Sequence, residues 1–285
     1  MSRLPVTLVL VAALALLASA CGSSSDEDTG STVAGAADCA PAKLDTHTKG
    51  ALTIATDKPA YPPYFEDNDP TNGKGFESAV AYAIADHLGF DKADVSWTVE
   101  PFNSSYAPGP KDFDFDVNQI SITPPREKAV DFSTPYYTAN QAVVALKDSD
   151  AASAKSLADL QDAKIGVQIG TTSLEAVEDE IDPGEDPQVF NSSNDVVTAL
   201  KNGQVDAVVV DLPTALYVTA VQVPEANVTG QFPAPGGDQW GALLDKGSPL
   251  TACVSRAIEE MRGSGELASI ERRWMSQAAG APELR

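Results

Sequence analysis

Four places in this sequence set a polar side chain just after a short apolar run, and together they could grip a zwitterion. Ala51 to Thr56 ends at Asp57, and Phe115 to Ile122 runs into Thr123 and, three residues on, Arg126. Lys164 to Ile169 ends in Gly170-Thr171-Thr172, and Val205 to Val210 ends at Asp211. A guanidinium, two carboxylates and several hydroxyls can meet both an anionic and a cationic group on one small molecule. The means for other chemistry are thin. There is no Cys-x-x-Cys, no His-Glu-x-x-His and no Gly-x-Ser-x-Gly stretch, and the two histidines, His47 and His87, stand in unrelated contexts. A dedicated transition-metal site, a nucleophile elbow and a cofactor are therefore not expected.

These residues need elements that bring them together. The apolar runs named above read as short buried strands, with Val95 to Val99, Ala142 to Leu146 and Trp240 to Leu244 as further ones. Helices are expected over Phe76 to Leu88, stopped by Gly89, and over Lys155 to Leu160, Ser173 to Ile181, Asn194 to Asn202, Leu250 to Met261 and Glu266 to Met275. Strands alternating with helices predict an α/β protein with largely parallel sheets. The alternation occurs twice, before and after about residue 140, with a last strand–helix–helix stretch after residue 235. In open α/β sheets a ligand sits beyond the carboxyl ends of the strands, which is where the polar residues fall.

The N-terminus speaks to location. One positive charge at Arg3 precedes an apolar run from Leu4 to Leu17, and Ala18-Ser19-Ala20 then leads into Cys21. This reads as a secretory signal peptide over residues 1–20. The small residues before Cys21 resemble a bacterial lipobox, with Ala18 where Leu is usual, and imply that Cys21 is lipidated; plain secretion with a free Cys21 is the alternative. Gly22 to Ala37 holds Gly, Ser, Thr, Ala and acids with little apolar mass, as a flexible tether would. In an exported chain the two remaining cysteines, Cys39 and Cys253, point to a disulfide, the alternative being two buried thiols. The formal charge of −22, from 41 acids against 19 bases, repels nucleic acid and anionic lipid headgroups, so neither is an expected partner.

Several stretches then match a known pattern in order and spacing. They are Gly75-Phe76-Glu77, the run Phe115 to Arg126, Val130-Asp131-Phe132-Ser133-Thr134-Pro135-Tyr136-Tyr137, Val167-Gln168-Ile169-Gly170-Thr171-Thr172 and Val205 to Asp211. Over roughly residues 50 to 276 the chain resembles the polar amino-acid family (family 3) of bacterial solute-binding proteins of ABC importers. The resemblance implies a two-lobe, type II periplasmic-binding-protein-like fold, hinged by two crossover strands, with the ligand in the interlobe cleft. Residues 38–139 would form the first part of lobe 1, 140–234 lobe 2, and 235–285 the rest of lobe 1.

Carried over residue by residue, Arg126 would hold the ligand α-carboxylate, with Thr171, Thr172, Ser121 and Thr123 adding donors, and Asp211 would take the α-ammonium. Tyr61 and Phe102 resemble a pair that sandwiches the ligand side chain, with Tyr64 as a competitor for the first position. Asp57 would meet a basic side chain or cap its own loop. Asn118 and Gln119 stand where small residues are usual, which implies a tighter or more polar wall at Gln119. The implied partners are an amino-acid ligand, a permease pair and its ATPase subunits, and the membrane through the lipid anchor. A monomer on the extracytoplasmic face of the cell membrane is the expectation. A ligand sensor, or a dehydratase-type enzyme on the same scaffold, is the alternative.

Overall fold

A computed structural model describes residues 39–234, 236–275 and 281–285. The expected signal peptide, the Cys21 lipidation site and the whole of the tether lie outside the described residues. Along the first stretch run β1 (Leu52–Thr56), α1 (Phe76–His87), β2 (Val95–Val99), α2 (Phe102–Ser105), β3 (Phe115–Asp116), α3 (Pro124–Glu127) and β4 (Val130–Phe132). Then come β5 (Tyr137–Ala139), β6 (Gln141–Leu146), β7 (Ile165–Gln168), α4 (Thr172–Ala176), β8 (Gln188–Phe190), α5 (Ser193–Lys201), β9 (Ala207–Asp211), α6 (Leu212–Tyr217) and β10 (Ala226–Phe232). The chain ends with β11 (Asp238–Trp240), β12 (Leu243–Asp245), α7 (Thr251–Ser264) and α8 (Glu266–Trp274).

The strands form two five-stranded sheets, ordered β2-β1-β3-β12-β4 and β10-β6-β9-β7-β8. Between them, β5 and β11 pair antiparallel as a two-stranded ribbon, with Asp238 opposite Ala139 and Trp240 opposite Tyr137. These are the two crossover strands: the chain leaves the first sheet through β5 and returns through β11. Each sheet is mixed rather than largely parallel. β1 runs parallel to β2 and β3 while β12 is antiparallel to β3 and β4, and β6 is likewise antiparallel to β9 and β10. The crossing itself is the cause, since each sheet receives a strand that enters from the hinge ribbon.

Apolar periodicity explains the two cores. On α1 and its C-cap, Phe76, Val80, Ile84 and Leu88 recur at helical spacing and pack with Leu52, Ile54, Phe115, Leu244, Val254, Ile258 and Met261. Each such fully buried side chain contributes about 1.5–3 kcal/mol. In the second lobe β6 alternates: Ala142 and Val144 face one layer, Val143 and Ala145 the other, so both faces of that sheet are covered. The Cys39–Cys253 disulfide forms and ties the start of the described chain to α7.

Two expectations are corrected by the backbone. The strand expected over Phe115 to Ile122 is only two residues long, because the chain turns at Gln119 (φ 50°) and Ser121 rejoins the hinge ribbon by a bridge to Trp240. The final residues do not stay with the first lobe. Residues 281–285 lie along β10, where Gln231 N–H donates to Pro282 O (2.7 Å) and Leu284 N–H to Gln231 O (2.9 Å). Gly230 permits this approach, since a Cβ there would stand 2.6 Å from Leu284 Cγ.

Candidate functional site

Between the lobes lies a cavity of about 430 Å³. Of the residues singled out from sequence, Asp57, Tyr61, Phe102, Gln119, Ser121, Thr171, Thr172 and Asp211 line it, with Tyr64 and Asn118 beside them. Arg126 and Thr123 do not line it and sit immediately behind its wall. The lobes meet around this cavity in a closed arrangement: Tyr64 Oη is 2.8 Å from Thr214 Oγ1, and the Tyr61 and Tyr217 rings stack at 5.9 Å.

The anionic-group end is built on the start of α3. Thr123 caps that helix by accepting from Arg126 N–H (3.4 Å), and Pro124 and Pro125 suit a first turn that has no use for their missing N–H groups. Arg126 is buried, and its guanidinium donates to Ser121 O (2.7 Å) in its own lobe and to Gly170 O (2.9 Å) in the other. It lies over the Tyr106 ring at 4.6 Å and near Phe102 at 5.5 Å, an electrostatically favourable stacking. Burial lowers the Arg126 pKa, and the Tyr106, Asp238, Glu175 and Asp211 oxygens oppose that shift. Opposite, Thr171 caps α4 by accepting from Leu174 N–H (3.2 Å). The Thr172 hydroxyl sits 3.3 Å from that of Ser121 and donates to Asp238 Oδ2 (3.0 Å).

The cationic-group end is Asp211, the last residue of β9. Gln141 Nε2 donates to Asp211 Oδ1 (2.8 Å) and also to Asp238 Oδ2 (2.6 Å), while Gln141 Oε1 accepts from the Ser173 hydroxyl (2.6 Å). Burial, and then the Asp238 charge, push the Asp211 pKa well above the usual carboxylate range, with the Gln141 bond opposing. A positive group placed beside Asp211 would relieve both penalties.

The remaining wall is aromatic and polar. Tyr61 and Phe102 both line the cavity, yet each ring has another partner, Tyr61 on Tyr217 and Phe102 edge-on to Tyr106 at 5.5 Å. Burial raises the Tyr61 pKa to about 12, so its hydroxyl stays neutral. Asp57 accepts from the backbone N–H groups of Lys58 (2.6 Å) and Phe102 (3.2 Å), which makes it a loop organiser that still faces the cavity. Gln119 is held from behind by Glu77, which accepts from its backbone N–H (2.7 Å) and its side-chain amide, and from the Tyr136 hydroxyl.

Sequence reasoning missed the second-lobe floor formed by Gln168, Ser173, Thr214 and the Asn191-Ser192-Ser193-Asn194 loop. That loop carried a legible signal, since Ser192 is the N-cap of α5 and accepts from Asp195 N–H (3.2 Å). It also missed Asp238 and Gln141, whose position on or next to the hinge strands only the pairing reveals.

Comparison with known proteins fits this geometry. The profile of bacterial extracellular solute-binding proteins, family 3, matches residues 52–277. The L-cystine-binding protein TcyJ of Escherichia coli (strain K12) is 30% identical over 228 residues, 79% of this chain and 83% of that protein. The arginine-binding extracellular protein ArtP of Bacillus subtilis (strain 168) is 30% identical over 218 residues, 74% of this chain and 82% of its own. Among solved structures, an ancestral arginine-binding protein bound to glutamine superposes with a TM-score of 0.68 at 33% identity, covering 80% of this chain and 99% of that one.

Proposed function

The chain belongs to the bacterial extracellular solute-binding proteins, family 3, and from that membership we propose that it captures a polar amino acid, or a close analogue, for an ABC importer. The ligand sits in the interlobe cavity, carboxylate toward Arg126, Ser121 and Thr172, and ammonium toward Asp211. The observation that carries this reading is a half-buried carboxylate, Asp211, lining the closed cleft from the second lobe, with a buried guanidinium, Arg126, directly behind the wall that Ser121 forms. Because the two charges come from different lobes, a zwitterion makes its full set of contacts only when the cleft is closed, and so binding favours closure. Arg126, now bonded to Gly170 O, would exchange that neutral acceptor for the ligand carboxylate, a stronger charge-assisted partner. Tyr61, Phe102 and Asp57 would enclose the ligand side chain.

The further parts of the reading are a lipid anchor on Cys21, a monomeric trap on the outer face of the membrane, delivery to a permease with its ATPase subunits, and no turnover of the ligand. The test is a thermal-shift screen of the purified protein against the common amino acids. Ligand at 100 times its dissociation constant should stabilise the fold by about 2.7 kcal/mol. Arg126→Ala should keep the fold and weaken binding by about 2–5 kcal/mol. A ligand-stripped protein that responds to none of the panel, or a variant that binds as well as the parent, would refute the assignment.

A further inference from the structure

Asp238 is an acid in an unexpected place. It is the first residue of the hinge strand β11, it is 1% exposed, and no motif marks it. Its Oδ2 accepts from Thr172 Oγ1 and from Gln141 Nε2, and its buried Oδ1 has no hydrogen-bond partner among the described residues. The same Gln141 nitrogen holds Asp211. Two carboxylates therefore stand either side of one neutral amide, which satisfies one oxygen of each and neutralises neither.

Geometry makes this pair more than a local oddity. Through Thr172, Asp238 reaches the Ser121 hydroxyl and the carboxylate end of the cleft, and through Gln141 it reaches the ammonium end. Its own backbone belongs to the two-stranded ribbon that joins the lobes. The charged groups bearing on the pair are Glu77 from the first lobe, repulsive toward Asp211, and Arg126, attracted by both acids. Arg126 is already bonded to Gly170 O and Ser121 O, so it does not close the charge balance at Asp238 by contact.

Resting on the amino-acid reading above, we propose that Asp238 is a positioning residue that stays behind the cavity wall and, through the shared Gln141 amide, sets its negative charge behind Asp211 at the ligand-ammonium end of the cleft. Without a cation, each acid disfavours the other's charge across that amide, and the Asp238 charge helps push the Asp211 pKa upward. A ligand ammonium relieves that penalty, so the cleft binds amines in preference to otherwise identical acids. Like charges bridged by one amide nitrogen in a partly dehydrated site interact strongly enough to change a binding equilibrium severalfold.

Asp238→Asn tests this, since the amide keeps an acceptor toward Gln141 and Thr172 and removes one charge. The probes are L-glutamine and L-arginine with their amine-free counterparts, glutaramate and δ-guanidinovalerate, titrated calorimetrically alongside ligand-free melting. The variant should bind the amino acids about tenfold more weakly and the amine-free acids unchanged or better, and its ligand-free melting temperature should rise. Parallel loss for both ligand types, or a ligand-free melting temperature that stays or falls, would overturn the proposal and leave Asp238 a structural hinge residue. Should neither amino acid bind the parent protein, the amino-acid reading fails for these probes. The ligand-free melting temperature then decides alone: a rise sustains the charge pair, and anything else removes it.

Discussion

Glu77 shows how a residue outside the cavity can set the shape of its wall. All three of its partners are donors, the two N–H groups of Gln119 and the hydroxyl of Tyr136, so the arrangement suits an ionised carboxylate. Burial nevertheless raises its pKa from 4.5 to about 7, the hydrogen bonds offsetting only part of the desolvation. The folded chain thus holds this proton more tightly than the unfolded chain does. The associated stability is fully present below about pH 4.5 and is lost as pH rises through about 7. The size is roughly 3 kcal/mol between those limits. Glu77→Gln should flatten the pH dependence of urea unfolding by about that amount between about pH 5 and pH 8. Asp116 and Asp211, both pushed upward by burial, supply a residual slope of the same sign. An unaltered slope in the variant would show that Glu77 does not titrate there. None of this was legible in the sequence, because Glu77 and Gln119 are 42 residues apart and only the fold makes them neighbours.

At the scale of elements, the join between the Tyr61–Phe65 loop and α1 depends on Gly75. Its φ of 97° is open to glycine, and an added Cβ would lie 2.3 Å from Tyr64 O. Gly75→Ala should therefore destabilise the fold by more than about 1 kcal/mol and weaken ligand binding, since the displaced loop carries Tyr61 and Tyr64. Denaturant midpoints and ligand titrations check both effects, and a variant as stable as the parent would sink the argument. Elements with strong local patterns were readable: Val95–Val99 is the strand expected, and α1, α5, α7 and α8 fall within a few residues of their expected bounds. The hinge strands β5 and β11 were not recognisable as strands in their own right. Each is three residues long and draws its stability from pairing across about a hundred residues of chain, so local periodicity carries no trace of it. The run from Phe115 to Ile122 failed for the opposite reason. Its apolar pattern is strand-like, yet Gln119 is drawn out of line by Glu77 and the chain becomes cavity wall. Asp57, Thr172 and Asp211, which the sequence places just beyond strand ends, line the cavity, and those positions follow from topology rather than from any single contact.

Over the whole molecule, two long-range ties restrain different parts of the trap. The Cys39–Cys253 bridge spans 214 residues of sequence, and its closure of the unfolded loop contributes on the order of 4–5 kcal/mol. The second tie is the C-terminal segment. After α8, in the first lobe, the chain goes on to residues 281–285 beside β10 of the second, so a third covalent connection joins the lobes in addition to β5 and β11. Leu284 is 5% exposed and packs in the second-lobe core with Val143, Val209 and Phe232. Leu284→Ala removes most of that side chain from a core that Gly230 has been shaped to receive, and should lower stability by about 2–5 kcal/mol. The backbone bonds at Gln231 hold the segment in place independently, so the loss should appear in the melting temperature while ligand affinity at the distant cleft changes little. If instead affinity falls with stability barely altered, the tail acts on closure rather than on the second-lobe core. If neither changes, Leu284 is not packed as described and the tail is a passive extension.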